Sequence, residues 1–206
     1  NMDLILDQVN NLPSLEKEIV CEKMNLTIGS SSAIMALNAA ALGLNIQFVG
    51  KVGNDDFGKT CLNALESRGI NTQHVLISDT ENTGLTCIYT QGRKRGMITY
   101  PDSMDTFTFD EIPESVFSSA RHLHLSSYYL QKGLKPDVPK LFKKAQEHGM
   151  TTSFDTNFDP DEIWGSEVLE ALNYVDIFFP NDQEAMNIAG TDNIEDAMAI
   201  LTKHCK

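Results

Sequence analysis

At 206 residues and 41% hydrophobic content, the chain is long enough for one domain with its own core. A formal net charge of −13 without a long basic run excludes nucleic acid and anionic membranes as main partners. No apolar run reaches membrane-spanning length and no signal-peptide pattern is present; Cys21, Cys61, Cys87 and Cys205 form no CxxC pair and read as reduced thiols of a cytoplasmic protein.

The first residue is Asn1, which reads as a trimmed start. Residues 1–7, NMDLILD, read as a strand end, and Asn11-Leu12-Pro13-Ser14 as a turn. Residues 18–28 form a second extended run. Gly29-Ser30-Ser31-Ser32 is a loop of minimal side chains before a helix over 33–42, stopped by Gly43. Two readings stand for it: a tight turn into a buried Ala-rich helix, or a loop whose backbone a ligand approaches at a helix N-terminus. A strand at 46–49 and the turn Gly53-Asn54-Asp55-Asp56-Phe57-Gly58 follow. The spacing of Phe57, Cys61 and Leu65 predicts a helix over 57–68.

Strands are predicted at 74–77, 84–90 and 96–100, the last two joined by Gln91-Gly92-Arg93-Lys94-Arg95. The three adjacent cations read as a solvated tip or as a ligand contact. A short helix lies within 107–118, and a strand at 123–127 puts His122 and His124 on one face. No third ligand for a metal is visible beside them. A helix is predicted over 136–148, with Val138, Leu141, Phe142 and Ala145 inward. A strand at 150–154 ends in Asp155-Thr156-Asn157. Beyond it come a short helix at 167–173, a strand at 175–179 followed by Pro180-Asn181-Asp182-Gln183-Glu184, and a last helix over 194–203.

Strands alternating with helices of ten or more residues imply βαβ units. The fold class is therefore α/β, with a largely parallel sheet and helices on both faces. Ligands of such sheets bind beyond the strand C-termini. Asp3, Asp155, Asn157, Asn181 and Glu184 all end strands in this reading. No GxGxxG follows a strand and no Walker GxxxxGK[ST] occurs. Asn181 and Glu184 are three apart at a helix start. They read either as a capping box or as an amide and a carboxylate holding hydrated Mg²⁺ and phosphate. Asp3 reads as a turn or cap residue unless a ligand claims it.

These motifs, in this order, resemble the ribokinase (PfkB-type) carbohydrate kinase family. Gly29, Leu42-Gly43 and Val52-Gly53-Asn54-Asp55-Asp56-Phe57-Gly58 match its first signature, although Ser30 replaces the second glycine and Ile34 stands where Asn is usual. Asn1 and Asp3 match a strand-ending Asn-x-Asp whose Asp holds sugar hydroxyls. Val175-Asp176-Ile177, Pro180-Asn181 and Glu184 match the family's Asn-x-x-Glu segment, with Gly190 in place. Asp155, Asn157 and Trp164 match its Asp-x-Asn-x-Arg segment before a Trp, where Asp159 replaces the Arg.

The resemblance implies a ribokinase-like fold with a small β-sheet lid, built from about 8–28 and 79–101. It implies ATP-dependent transfer of a phosphoryl group to a sugar hydroxyl, with Mg²⁺. Asn1, Asp3, Gly29, Ser30, Ser31, Tyr100 and Ser126 would bind the sugar, Asn157 and Asn181 the phosphate, and Glu184 the Mg²⁺ through water. Lid edges that pair into a homodimer are also implied. The second signature, Asp-Thr-x-Gly-Ala-Gly-Asp, carries the catalytic base and does not occur in residues 1–206. The expectation is one kinase core, incomplete at its C-terminus, with the base beyond Lys206. The alternatives are a nucleoside kinase of the same superfamily and a non-catalytic sugar-binding protein on this fold.

Overall fold

The structure is a computed structural model that describes residues 1–9 and 16–205; the turn expected at 11–14 lies outside the described residues. Two compact units divide the chain, Asn1–Met104 and Asp105–Lys206. All four cysteines are free thiols.

The first unit carries a four-stranded sheet in the order β2-β1-β5-β6, made of β1 (Met2–Asp7), β2 (Lys23–Ile28), β5 (Leu85–Gln91) and β6 (Lys94–Tyr100). β1 runs parallel to β5, and both outer pairings are antiparallel. A second, parallel pair joins β3 (Gln47–Gly53) to β4 (Asn71–Ser78). Two helices lie between these strands in sequence, α1 (Ser31–Ala41) and α2 (Asp56–Glu66). The small face of α1 buries Ala33 and Ala36 against Leu65 and Ile70. Met2, Val52 and Cys61 form a second cluster, with Ile28 and Leu85 packed on it. The i, i+4 spacing of α2 thus delivers Cys61 and Leu65 to the core, as its pattern predicts.

In the second unit β7 (His122–Ser126), β8 (Thr151–Asp155) and β9 (Ile177–Phe178) form a parallel sheet in chain order. The helices are α3 (Ser115–Ser119), α4 (Val138–Glu147), α5 (Glu167–Leu172), α6 (Asp182–Ala189) and α7 (Ile194–Leu201). α4 buries Val138, Leu141, Phe142 and Ala145, the four side chains its periodicity turns inward. Phe154 of β8 sits among Tyr128, Phe142 and Phe178, with ring centroids 5.2–5.7 Å apart.

Among the described residues four of the six strand pairings are parallel, in keeping with an α/β fold. Several extents differ from the sequence reading; β2 begins only at Lys23, and β4 spans Asn71–Ser78. β3 runs on through Lys51 to Gly53, β9 keeps only two residues in the ladder, and the β5–β6 turn is shorter. Gln91 pairs with Lys94, so only Gly92 and Arg93 lie in that turn. Gly92 takes φ +60°, as the first central residue of a two-residue hairpin turn of the primed kind.

Candidate functional site

In the first unit, Asp3 on β1 lies against Gly29 at the end of β2. A Cβ on Gly29 would sit 1.9 Å from Asp3 Oδ1, so only glycine leaves room for this carboxylate. Asn1 Nδ2 donates to Asp3 Oδ1 at 3.2 Å and to Thr86 Oγ1 at 3.0 Å. Thr86 Oγ1 lies 3.1 Å from Thr99 Oγ1. The register sets Asp3, Thr27, Thr86 and Thr99 side by side, and so on one face of the sheet. Burial raises the Asp3 pKa, with the Arg95 guanidinium pulling the other way.

Ser30 and Ser31 open α1. Ser30, its N-cap, makes no side-chain cap bond and holds φ +72°, ψ +124°. That is a glycine conformation, which accounts physically for the glycine expected there. Tyr100 is not brought to Asp3. It pairs with Leu85, which pairs with Met2, and so belongs to the opposite face. Its hydroxyl donates to Asp102 Oδ2 at 2.7 Å. A sugar contact from Tyr100 on Asp3's side is therefore withdrawn.

The turn at 53–58 is a brace. Asp55 caps α2, its Oδ1 accepting from Gly58 N at 2.7 Å and its Oδ2 from Thr83 N at 2.7 Å. Thr83 Oγ1 in return accepts from Gly53 N at 2.9 Å. Burial favours the neutral acid, but the N–H groups of Thr83 and Gly58 outweigh it and hold Asp55 below the usual carboxylate range.

In the second unit, β7 and β8 end side by side. Ser127 (φ +61°) and Asn157 (φ +56°) both adopt the left-handed conformation there. Asn157 Oδ1 accepts from Ser127 N at 3.0 Å and from Ser127 Oγ at 3.2 Å. Asn157 Nδ2 donates to both Asp155 oxygens at 3.1 Å. Two strained residues locked by one amide, at strand C-termini, are a feature that functional sites concentrate. Ser126 is 0% exposed. It has no surface to offer a sugar, and that role is withdrawn.

Asn181 and Glu184 form the capping box of α6. Asn181 Oδ1 accepts from Glu184 N at 2.9 Å, and Glu184 Oε2 accepts from Asn181 N at 3.1 Å. Yet Glu184 is only 7% exposed, unusual for a cap carboxylate. Burial raises its pKa, the Asn181 N–H opposes this, and repulsion from Asp155 adds to it. Asp159, where an Arg was expected, is buried and accepts from the N–H groups of Asp161, Ile163 and Trp164 at 2.8–3.1 Å. It shapes the loop before Trp164. His122 Nε2 and His124 Nδ1 both meet Ser153 Oγ, at 2.7 and 2.8 Å. No group of three metal-binding side chains occurs among the described residues.

Thr86 is the residue that sequence reasoning missed. Alternation in Leu85–Gln91 puts Thr86, Ile88 and Thr90 on one face, but only the pairing with β1 tells that this is the face of Asp3.

These elements define an α/β protein of the ribokinase-like class. Superposition on Arabidopsis thaliana ribokinase complexed with ribose and ATP gives a TM-score of 0.80 at 21% identity, covering 100% of this chain and 66% of that one. The chain belongs to the pfkB family of carbohydrate kinases, whose family model matches residues 1–206. It is 28% identical over 186 residues to an ATP-dependent ribose-1-phosphate kinase of Halopiger xanaduensis, covering 89% of this chain and 60% of that protein. It is 25% identical over 187 residues to a fructokinase of Salmonella typhimurium, covering 85% and 59%. The chain thus spans about three fifths of the length of the curated relatives it matches. No helix among the described residues is long and apolar enough to cross a membrane.

Proposed function

We propose that the protein transfers the γ-phosphoryl group of ATP to a sugar hydroxyl in the cytoplasm. The observation that carries this reading is Asp3. Its carboxylate is part-buried, fitted where only a glycine leaves it room, and flanked in the sheet by Thr27 and Thr86, with Thr99 next in the same row. A carboxylate beside hydroxyl groups suits a polyol, each charge-assisted bond being worth roughly 1.5–3 kcal/mol. Asn1, Gly29, Ser30 and Ser31 complete this acceptor-binding set. A nucleoside acceptor is less well supported, because Tyr100 lies on the other face.

In the second unit, Asp155 and Glu184 are two mutually repelling carboxylates. That donor set fits a hard cation which keeps most of its waters, so Glu184, with Asp155, is assigned to hold hydrated Mg²⁺. Bound there, Mg²⁺ would neutralise phosphate charge during transfer. Asn181 and Asn157 are assigned to phosphate, Asn157 with its amide pre-set by Ser127 and Asp155. The catalytic base is assigned to sequence beyond Lys206.

We also infer a homodimer through the lid sheet. Leu26, Leu4, Cys87 and Ile98 form one cross-strand row, and Met24, Leu26 and Ile98 are 65%, 45% and 67% exposed. Such an apolar face suits a second copy.

The test is sugar-dependent ATP consumption by the whole gene product and its Asp3→Ala variant. Turnover that disappears in the variant while ATP still binds supports the kinase. Sugar binding without turnover supports the non-catalytic alternative, and unchanged sugar kinetics in the variant remove Asp3 from the site.

A further inference from the structure

The hairpin β5–β6 separates the three consecutive cations. Arg93 alone is in the turn, while Lys94 and Arg95 are inside β6 and so face opposite sides of the sheet. Arg95 shares the parity of Met97 and Thr99, and hence the face of Asp3.

That face has three bands. The first is Asp3, Thr27, Thr86 and Thr99, which offers hydroxyls and one carboxylate. The second is Ile5, Ile88 and Met97, with Asn25 at its edge. The third brings Lys23, Asp7, Thr90 and Arg95 together. Within it the Asp7 carboxylate accepts from Thr90 Oγ1 at 2.9 Å, while Lys23 and Arg95 are exposed. Successive bands are two residues, or about 7 Å, apart, and β1 and β6 lie two strands apart, so about 17 Å separates the backbones of Asp3 and Arg95. An arginine laid back along the strand shortens that gap to the length of a small sugar derivative. Arg95 also acts electrostatically on Asp3, opposing the rise that burial causes in its pKa.

We propose that the acceptor sugar carries an anionic group, phosphate or carboxylate, at the end remote from Asp3, and that Arg95, supported by Lys23, selects it. A neutral sugar needs no cation here. A guanidinium on an open sheet face is the side chain suited to bind phosphate or carboxylate through two parallel bonds. The apolar band between the two polar ones would pack against the carbon skeleton. This rests on Asp3 as the sugar-hydroxyl ligand.

The experiment compares sugar-dependent ATP consumption by the whole gene product on fructose, fructose 6-phosphate and gluconate. The phosphate and acid arms tell the two anions apart. The expected result is an anionic acceptor preferred over the neutral one. Arg95→Gln should then lower kcat/KM for that acceptor by roughly 10- to 100-fold, mainly through KM, the scale of one lost charge-assisted contact. Arg95→Lys should lose less, and fructose should respond much less to either change. A neutral sugar as the better acceptor, or equal kinetics of Arg95→Gln and the parent on the anionic one, overturns the proposal and leaves the kinase reading standing. No ATP consumption with either class overturns the kinase reading, and this one with it.

Discussion

At Gly29 the space is decided by a single atom. Any Cβ there displaces the Asp3 carboxylate. Gly29→Ala is therefore expected to raise the sugar KM at least about tenfold, the loss of one charge-assisted hydrogen bond. Its melting temperature should stay close to that of the parent, because Asp3 is part-exposed and can swing away. A large stability loss with unchanged KM would contradict this. Ser30 shows the converse. A serine at φ +72° holds a conformation that costs on the order of 1–3 kcal/mol. Ser30→Gly should stabilise by up to about 1 kcal/mol, less than the strain, because glycine also loosens the unfolded chain. Urea unfolding measures it. Glu184 separates cap from metal ligand. Its pKa is raised on folding, so its ionised form costs stability that returns as pH falls through the raised value. Glu184→Gln should thus be no less stable than the parent at neutral pH, and the two should converge in acid. Its kinase activity should fall and recover in part with added Mg²⁺. The glycine and the Asn-x-x-Glu spacing were visible in the sequence. The burial of Glu184 beside Asp155 was not, because it depends on β8 and α6, which are remote in the chain.

Among the elements, α2 is anchored at its start by a single side chain. Asp55 both caps it and binds Thr83, so one carboxylate ties the helix to the approach of β5. Asp55→Ala should cost about 1–2 kcal/mol, the upper part of the usual cap range. The pH dependence follows from the depressed pKa. The stabilisation is complete above the ordinary carboxylate value and is lost as pH falls through the depressed one. The variant should therefore show a flatter stability profile in that acid window, by urea unfolding at stepped pH. The sequence marked this stretch as a polar turn, since Gly53, Asp55 and Gly58 are turn residues. It could not reveal Thr83, which is 28 positions away from Asp55. The hairpin illustrates a related limit. A five-residue polar stretch reads as a loop, yet pairing between Gln91 and Lys94 draws two of the cations into the strand. A sheet ladder outweighs the local preference of Lys and Arg for a solvated turn. β9 errs the other way. Residues 175–179 are apolar enough for a longer strand, but Val175 is consumed in closing the turn after α5.

For the molecule as a whole, two electrostatic features act in different pH ranges. With 29 acidic and 16 basic side chains, the folded chain repels itself at neutral pH. The paired histidines behave differently. His122 and His124 share Ser153, stand near Asp176 and Asp155 respectively, and burial depresses both pKa values. A histidine depressed on folding costs nothing above its unfolded value near 6.5. As pH falls through that value the unfolded chain takes up protons first, and stability is lost down to the folded pKa. The α/β class was legible because it follows from alternation alone, whereas this histidine pair was legible only as a shared face. The expectation is that the melting temperature above pH 7 rises as salt goes from about 0.02 to 0.2 M, where the screening length shortens to within the size of one unit. Between pH 7 and 5.5 a further loss should set in that salt repairs little, since it arises from the partial desolvation of the two rings. The double variant His122→Asn, His124→Asn should flatten that lower window and leave the salt response at neutral pH intact. Calorimetry across the two variables decides it. A melting temperature that falls with salt at neutral pH would mean that attractive ion pairs, such as Lys51–Glu81, outweigh the net repulsion.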